Sequence, residues 1–328
     1  MRTSKIQFPK RFSFFFLLFC ILGIMGYARS QQNTIFHAVV AKDGTGDYTT
    51  VQSAIDAVPE NLKSPWLIFV KNGSYEEQVI IPQNKPFIHL IGQDKERTII
   101  HLKLNVGGKP DANTKDLAYW HYSVHNPKSA VSHFEGAVVN INASDFYSEN
   151  ISYVNDWGLE AQNGPQALAL KTKADRIAFY NCKFRSFQDT WMTTTRDADR
   201  HYVKECWLEG AVDYFYGGGN ALVEESTLYN VRSGSVIVAP CHESVKYGYV
   251  FRNCVIDGNE QAADGKLKLG RPWHNSPKAV YINTLVKIPL APEGWTNMGT
   301  IPALFAEYNS MDMNGKTLDL SCRKTEYE

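Results

Sequence analysis

Short strand-like runs recur along the chain from about residue 137 onward, and they constrain its fold more than any other feature. Each run is rich in β-branched or aromatic residues and is followed by a turn, and long helical periodicity is absent from this part of the sequence. One phrase, a polar residue followed by a small residue and ending in an apolar one, starts at Asn181, Glu205, Glu225 and Asn253, at intervals of 24, 20 and 28 residues. Irregular repeats of this length favour the coils of a solenoid.

Two cysteines occupy the same position in successive copies of this phrase. If the coils form a parallel β-helix, neighbouring strands lie about 4.8 Å apart, so Cys182 and Cys206 would stack on each other. Such stacking suits either a disulfide bond or a dry ladder of thiols. After residue 30 the chain holds an odd number of cysteines, so at least one is unpaired in an oxidising compartment. These cysteines are Cys182, Cys206, Cys241, Cys254 and Cys322.

The first thirty residues have the pattern of a secretory signal peptide. Basic residues precede an apolar stretch over residues 12–25, and small and polar residues follow it. The stretch is short for a membrane span, so we expect residues 1–30 to be cleaved and the protein to be secreted, with no membrane attachment afterwards. Residues 31–328 are then predicted to form one domain. This part holds 29 basic and 34 acidic residues, which argues against a nucleic acid as partner.

One helix is predicted near the start of this domain. Thr49 and Thr50 are suitable N-cap residues for an amphipathic run over residues 51–58, which ends at Pro59. A single helix ahead of a solenoid is typical of a cap, because the first coil would otherwise leave its apolar end exposed to water. We therefore expect this helix to cover the open end.

Five separate segments each place a polar group among apolar or aromatic neighbours. They are Gly73–Glu77, Gly164–Leu170, Gln188–Thr190, Val212–Gly217 and Leu269–Trp273. From the second segment onward they carry two carboxylates, one guanidinium and two amides. These groups supply a nucleophile, a proton donor and oxyanion donors, so acyl transfer would need neither a serine nor a metal or other cofactor.

In order and local sequence, the five segments resemble the catalytic motifs of the pectinesterases. The resemblance covers the chain after residue 30. The chain is similar to the plant form of the family without an inhibitor-like pro-region, since the matching part begins near Phe36. It implies an all-β fold, a single-stranded right-handed parallel β-helix. It also implies hydrolysis of the galacturonosyl methyl esters of pectin to pectate and methanol, as a monomer in the cell wall. The partners implied are methyl-esterified homogalacturonan and a proteinaceous pectinesterase inhibitor.

The resemblance also assigns roles to individual residues. It implies that Asp213 is the nucleophile, that Asp189 is the general acid and later the base, and that Arg271 orients the nucleophile. It assigns oxyanion stabilisation to Gln166 and Gln188. An arginine beside Asp213 would keep that residue ionised, whereas aromatic surroundings and a neighbouring negative charge would favour a protonated Asp189. Taken singly, each of these residues would better suit a structural ion pair or a polar turn, and only their joint arrangement favours the catalytic roles.

Aromatic residues that match sugar contacts of the family form a second group. Tyr216, Trp273 and Trp295 stand at such positions, although each would also suit the hydrophobic core. The usual aromatic residue after the Gln-Asp-Thr-Leu motif is Met192 here, so that contact is either lost or moved to Trp191.

Other functions stay open at this point. A depolymerising lyase or glycosidase would share the β-helix, and a catalytically inactive wall-binding homologue would lack one of the essential groups. A serine esterase is disfavoured, because the chain has no Gly-x-Ser-x-Gly motif. The histidines at 121, 125 and 133 are weak evidence for a zinc site. Sequons at Asn72, Asn142 and Asn150 suit N-glycosylation.

Overall fold

The computed structural model describes residues 36–104, 136–164 and 166–324 of the chain. The signal peptide predicted over residues 1–30 and the histidine-bearing stretch over residues 105–134 lie outside these ranges. Within the described residues the protein is built from strands that form three sheets, together with two short helices. None of the helices in this described part is both long and apolar enough to cross a membrane.

The three sheets are called A, B and C here, and their strands are given in spatial order. Sheet A contains β1 (Ala38–Val40), β2 (Trp66–Val70), β5 (Ile88–Gly92), β8 (Tyr147–Glu149), β11 (Ile177–Tyr180), β14 (Arg200–Lys204), β17 (Asn220–Glu224), β20 (Tyr249–Arg252), β23 (Lys278–Ile282) and β25 (Leu304–Tyr308). Sheet B contains β3 (Gly73–Glu76), β6 (Thr98–Leu102), β9 (Ser152–Asn155), β12 (Lys183–Arg185), β15 (Trp207–Gly210), β18 (Thr227–Asn230), β21 (Val255–Gly258) and β24 (Leu285–Val286). Sheet C contains β4 (Val79–Ile81), β7 (Ala137–Ile141), β10 (Leu168–Thr172), β13 (Trp191–Met192), β16 (Val212–Gly217), β19 (Val236–Pro240) and β22 (Lys268–Gly270).

From β2 to β24 the chain visits sheets A, B and C in strict rotation. One rotation is one coil, and each strand pairs in parallel with the equivalent strand of the next coil, as β11 does with β14 and β12 with β15. Parallel connections of this kind are almost always right-handed. The right-handed parallel β-helix that the family resemblance implied is confirmed, and so is the solenoid that the repeats favoured.

The repeated phrase marks the corner between sheets A and B. Its first residue has a left-handed backbone in every copy, with φ of 48° at Asn181, 55° at Glu205, 50° at Glu225 and 55° at Asn253. Asparagine tolerates this conformation better than most residues, and its side-chain amide can form hydrogen bonds along the corner. The Asn181 side chain, for example, donates to that of Asn150 at 2.7 Å. At Asn181 and Asn253 the residue type therefore suits the turn.

The small second residue of the phrase points into the interior of the β-helix. Cys182 and Cys206 are buried on successive coils, as predicted, and both are free thiols. The backbone N–H of Cys182 donates to Sγ of Cys206 at 3.3 Å. Burial raises the pKa of the Cys206 thiol well above its ordinary value, which keeps it protonated and unreactive. Of the two alternatives, the structure has the thiol ladder.

Helix α1 (Val51–Asp56) lies where the sequence predicts it, and its N-cap is Thr50. Its first N–H groups are satisfied by Glu77, whose carboxylate accepts from Val51 at 2.8 Å and from Gln52 at 2.9 Å. The buried face of the helix packs against β1 and β4, the first strands of sheets A and C. This position fits the predicted role as a cap.

Candidate active site

Two aspartates lie at equivalent positions of consecutive coils, where the chain turns from sheet B into sheet C. Gln188 pairs with Val212 across the two coils, and the N–H of Asp189 donates to the carbonyl of Val212 at 2.9 Å. Asp189 and Asp213 each follow one of these paired residues. Because strands of neighbouring coils are about 4.8 Å apart, this register makes the two aspartates direct neighbours.

The backbone at this corner is left-handed at both aspartates. Asp189 has a φ of 61° and Asp213 a φ of 50°, a conformation that aspartate adopts more readily than most residues with a side chain. The pairing of β16 with β19 also shifts register between Val212 and Phe215, on either side of Asp213. Such irregularities re-aim side chains and are frequent at functional sites.

Arg271 holds the carboxylate of Asp213 with two hydrogen bonds. Its Nε donates to Oδ1 at 2.8 Å and its Nη2 to Oδ2 at 2.5 Å. Arg271 follows β22, so its side chain reaches across the intervening strand β19 to Asp213 on the coil beyond. Only 8% of the Asp213 side chain is exposed, against 25% of Arg271. A bidentate pair of this kind fixes both the charge and the orientation of the carboxylate.

Burial and charge act differently on the two carboxyl groups. Burial raises the pKa of Asp213, and the hydrogen bonds and positive charge of Arg271 oppose that rise. Burial together with the negative charge of Asp213 raises the pKa of Asp189 well above its ordinary value. The two sites titrate as a coupled pair. Between the two apparent pKa values, Asp213 carries the charge and Asp189 carries the proton.

Tyr216 lies beside Asp189 and has a contact that the sequence did not predict. Its hydroxyl is hydrogen-bonded to the Asp189 carboxyl, which lowers the pKa of Asp189 against the effect of burial. Only 7% of Tyr216 is exposed, because it packs with Leu168 and Ala239. Little of its ring is therefore exposed to a sugar.

Trp273 is the aromatic residue best placed to meet a substrate beside this pair. It is half-buried and packs edge-on against Tyr216, with a centroid distance of 5.6 Å. Half-buried Met192 belongs to the same small apolar cluster. Trp273 and Met192 therefore present accessible apolar surface next to the tyrosine that contacts Asp189.

The structure places the two other predicted sugar contacts, Trp191 and Trp295, in the hydrophobic core. Trp191 is 0% exposed, its Nε1 donates to Thr172 at 3.1 Å, and its ring packs among the phenylalanines of the core. Trp295 is 1% exposed and packs between Tyr281 and Phe305. Successive residues of a strand point to opposite faces, so the inward direction of Trp191 follows from the outward direction of Met192.

The two glutamines come together at the same corner. The N–H of Ala167, directly after Gln166, donates to the carbonyl of Gln188 at 3.0 Å, so the two residues belong to adjacent coils. A Cβ at Gly164 would lie 3.3 Å from Oε1 of Gln188, which shows how closely the loop before Gln166 approaches that amide. Both glutamines are half-buried. They line the coil edge from which Asp189 projects.

One charged residue near the site lies outside the five motifs. The charge of Arg232 lowers the pKa of Asp213, and its guanidinium lies 5.8 Å from the ring centre of Phe187, the neighbour of Gln188. Its segment carries no local signal, so only the fold could reveal it. Across the three described ranges, no group of His, Cys, Asp or Glu side chains is arranged to hold a metal ion.

The family profile, the related sequences and the solved structures that match this chain all indicate the same family. The Pectinesterase family profile matches residues 37–119 and 121–324. Pectinesterase 31 of Arabidopsis thaliana is 33% identical over 275 residues, which is 82% of this chain and 80% of that protein. The deglycosylated pectin methylesterase of Aspergillus niger is 28% identical, with 87% of each chain covered and a TM-score of 0.70. The carrot pectin methylesterase, 24% identical with a TM-score of 0.72 over 89% of this chain and 86% of that one, shares the fold. The chain therefore belongs to the pectinesterase family.

Proposed function

We propose that the protein hydrolyses the galacturonosyl methyl esters of pectin, releasing methanol and leaving pectate. The observation that carries this proposal is the paired placement of Asp213, bound by Arg271, and Asp189 one coil away. A charged carboxylate beside a carboxyl that retains its proton is the arrangement that acyl transfer needs. Family membership supplies the substrate class, so the protein is a carboxylic ester hydrolase.

In the proposed reaction, an Asp213 oxygen attacks the ester carbonyl carbon. The negative charge that develops on the carbonyl oxygen is stabilised by the amides of Gln166 and Gln188. The bond to methoxide breaks as Asp189 gives up its proton, and methanol leaves. The galacturonyl group is then held on Asp213 as an acyl anhydride, with Asp189 ionised.

The second half of the reaction uses the same groups in the opposite direction. The Asp189 carboxylate takes a proton from water, and the resulting hydroxide attacks the acyl carbon. The anhydride bond to Asp213 breaks, which frees the galacturonate product and restores both carboxyl groups. Arg271 holds Asp213 in one orientation in both halves of the cycle.

The proposal is tested by measuring methanol release from highly methylated pectin, with pectate as the unesterified control and with solution viscosity followed in parallel. We expect methanol to appear without a rapid loss of viscosity, and we expect a chelator to leave the rate unchanged, since every proposed group is a side chain. Viscosity loss without methanol would instead indicate a lyase or glycosidase. A rate abolished by chelator and restored by zinc would contradict the side-chain mechanism.

We also propose that the protein works as a secreted monomer in the cell wall and can be captured by a proteinaceous pectinesterase inhibitor. The leader-like residues 1–30 support secretion. Methyl-esterified homogalacturonan is then the polymer that it meets. Size measurement of the secreted protein and sequencing of its N-terminus test the monomer and the cleavage.

Conversion of Trp273 to Ala is expected to weaken pectin binding and turnover while the protein stays folded. The ring is half-buried beside Tyr216, and loss of a stacking face of this kind costs on the order of 1–3 kcal/mol in comparable sites. Methanol release at limiting pectin should fall accordingly, roughly 5- to 150-fold. Trp207→Ala is the matched control, because Trp207 lies on sheet B, where it stacks on Tyr229. An unchanged rate for Trp273→Ala would assign Trp273 to packing.

Conversion of Tyr216 to Phe is expected to move the alkaline limb of the pH–rate profile to higher pH. The Tyr216 hydroxyl lowers the pKa of Asp189, so its removal should raise that pKa further. Asp189 would then keep the proton that it must donate up to a higher pH. The measurement is kcat/KM for methanol release against pH. A limb that moves to lower pH, or does not move, would contradict the bond between the two side chains.

A further inference from the structure

A hydrogen-bonded serine, histidine and aspartate lie on the outer face of sheet B, apart from the aspartate pair. Nε2 of His101 is 2.7 Å from the hydroxyl of Ser74, and Nδ1 of the same ring is 2.6 Å from Oδ2 of Asp156. We propose that Ser74 is an activated nucleophile, with His101 as its general base and Asp156 as the group that orients the histidine. This site would take small uncharged activated esters and related acylating or phosphonylating compounds.

The coil register brings these three residues together. Ser74 lies on β3 and His101 on β6, whose ladder pairs Ser74 with Ile99 and Glu76 with His101. Residues two apart on a strand share a face, so the Ser74 and His101 side chains meet diagonally. Asp156 directly follows β9, the next strand of sheet B, and is the first residue of helix α2 (Asp156–Ala161). Three successive coils thus contribute one residue each.

The histidine ring is held in the orientation that a base requires. A carboxylate at Nδ1 favours the tautomer with the proton on Nδ1, which leaves the lone pair of Nε2 directed to the Ser74 hydroxyl. Asp156 is itself fixed at the start of a helix whose N-cap, Asn155, accepts from the Trp157 N–H at 3.1 Å. The roles of nucleophile, base and orienting acid are therefore all occupied at hydrogen-bonding distances.

Access is open where the chemistry would occur. Ser74 is exposed, whereas 20% of the His101 side chain and 31% of that of Asp156 are exposed. The N–H of Gly73 donates to the carbonyl of Arg97, just before β6, and that of Glu77 donates to the carbonyl of His101. Because N–H groups alternate in direction along a strand, the N–H of Ser74 points to the opposite side of β3. Since β3 is the edge strand of sheet B, that N–H can donate to an oxyanion.

The surroundings define the substrate class. Half-buried Ile99, the ladder partner of Ser74, offers a small apolar contact for an acyl group. Exposed Glu76 lies opposite His101, and Lys103, two residues after His101, pairs with Glu160, so charges of both signs surround the site. A small, neutral, activated ester fits this site, and pectin remains the substrate of the Asp213 site.

The proposed step conserves atoms and charge. The Ser74 oxygen attacks the carbonyl carbon of an aryl ester while its proton moves to Nε2 of His101. The bond to the aryl oxygen breaks, and the phenol leaves with the proton from His101, so that Ser74 carries the acyl group. Water then attacks the acyl carbon and gives a proton to Nε2 of His101. The bond from the acyl carbon to the Ser74 oxygen breaks, that oxygen takes the proton back from His101, and the free acid leaves. With a fluorophosphonate, the analogous attack expels fluoride and leaves a stable phosphonyl–Ser74 adduct.

Ser74 has one further structural role that the test must separate. It is the hydroxyl residue of the Asn72 sequon, so Ser74→Ala would also remove a glycosylation signal. Production in a bacterial host, which adds no N-glycans, removes this ambiguity. Asn72→Gln provides the second control, since it removes the sequon and keeps Ser74.

The experiment treats the bacterially produced protein with a fluorophosphonate probe and locates the adduct by peptide mass spectrometry. We expect labelling of the peptide with Ser74, loss of the adduct in Ser74→Ala, and a labelling rate at least about tenfold lower in His101→Gln, since general bases contribute about 10²–10⁴-fold. Labelling should persist in Asp213→Asn, in Asn72→Gln and in Ser233→Ala, where the exposed serine bonds Asp264 and no histidine is involved.

Three results decide against the proposal. These are an unlabelled Ser74 while a reference serine hydrolase in the same tube is labelled, an adduct that maps elsewhere, and an unchanged labelling rate in His101→Gln. Methanol release from pectin serves as the folding control, because Ser74→Ala leaves the Asp213 site intact. A Ser74→Ala variant that releases methanol normally and no longer reacts with the probe would support a second site.

Discussion

Asp213→Asn is expected to abolish methanol release from pectin at every pH. Asparagine preserves the shape of the side chain and removes the negative charge, so no carboxylate oxygen remains to attack the ester carbonyl. Arg271 also loses the anion to which it donates at 2.8 and 2.5 Å. Because the nucleophile itself is removed, changes of pH cannot restore the activity.

This result requires a control for folding and for chemical purity. Asp264→Asn is a matched charge removal at an exposed turn, where Asp264 bonds Ser233 and Lys266, and it should keep full activity. Thermal unfolding of both variants tests whether the fold persists. Mass spectrometry must exclude deamidation of the new asparagine back to aspartate. Normal turnover by a preparation that passes this check would contradict the covalent role of Asp213.

The wild-type reaction offers a direct view of the same intermediate. Rapid quenching in acid during turnover should place an added galacturonyl mass on the peptide that contains Asp213, to the extent that the acyl enzyme accumulates. The Asp213→Asn variant should show no such mass. An adduct on any other carboxylate would move the nucleophile to that residue.

Much of the fold could be predicted because its signals are local and repeated. The phrase that starts at Asn181 recurs because each coil needs a left-handed corner followed by a small inward residue. The same repetition predicted that Cys182 and Cys206 would stack. Whether they would form a bond was not predictable, since both alternatives place the residues on adjacent coils and differ only in side-chain geometry.

The aromatic residues near the site show where sequence reasoning stops. Trp191 and Met192 are adjacent in a two-residue strand, so one points inward and the other outward, and the motif alone did not say which. A strand of two residues is too short for its alternation of apolar and polar residues to show which side chain points inward. Tyr216 illustrates a second limit, because its bond to Asp189 depends on the pairing of two coils.

The electrostatics of the aspartate pair depended on burial, which the sequence does not contain. From sequence, Arg271 was expected to keep Asp213 ionised by lowering its pKa. In the structure, burial raises that pKa and Arg271 only limits the rise. The order of the two pKa values is nevertheless preserved, because the pKa of Asp189 is raised well above its ordinary value and the hydrogen bonds of Arg271 go to Asp213.

Asp189→Asn is expected to reduce methanol release strongly and to leave a measurable residual activity. The substitution removes proton transfer to methoxide and from water, a contribution of roughly 10²–10⁴-fold, and keeps the nucleophile with its arginine. The wild-type rate should fall at acid pH as Asp213 gains a proton and at alkaline pH as Asp189 loses one, with apparent pKa values that belong to the pair. Both limbs should lie above the ordinary range of an aspartate, since burial raises the pKa of each group.

The shape of the profile then separates a proton donor from a structural residue. In Asp189→Asn the acid limb should remain, because Asp213 still titrates, whereas the limb due to Asp189 should disappear. The acyl enzyme on Asp213 should also persist longer after quenching, since no base remains for the water that removes it. Loss of activity with an unchanged two-limbed profile would indicate general damage to the site. A rate within a few-fold of the wild type would remove Asp189 from the mechanism, because Asp189 is the carboxyl that the described coils place next to Asp213.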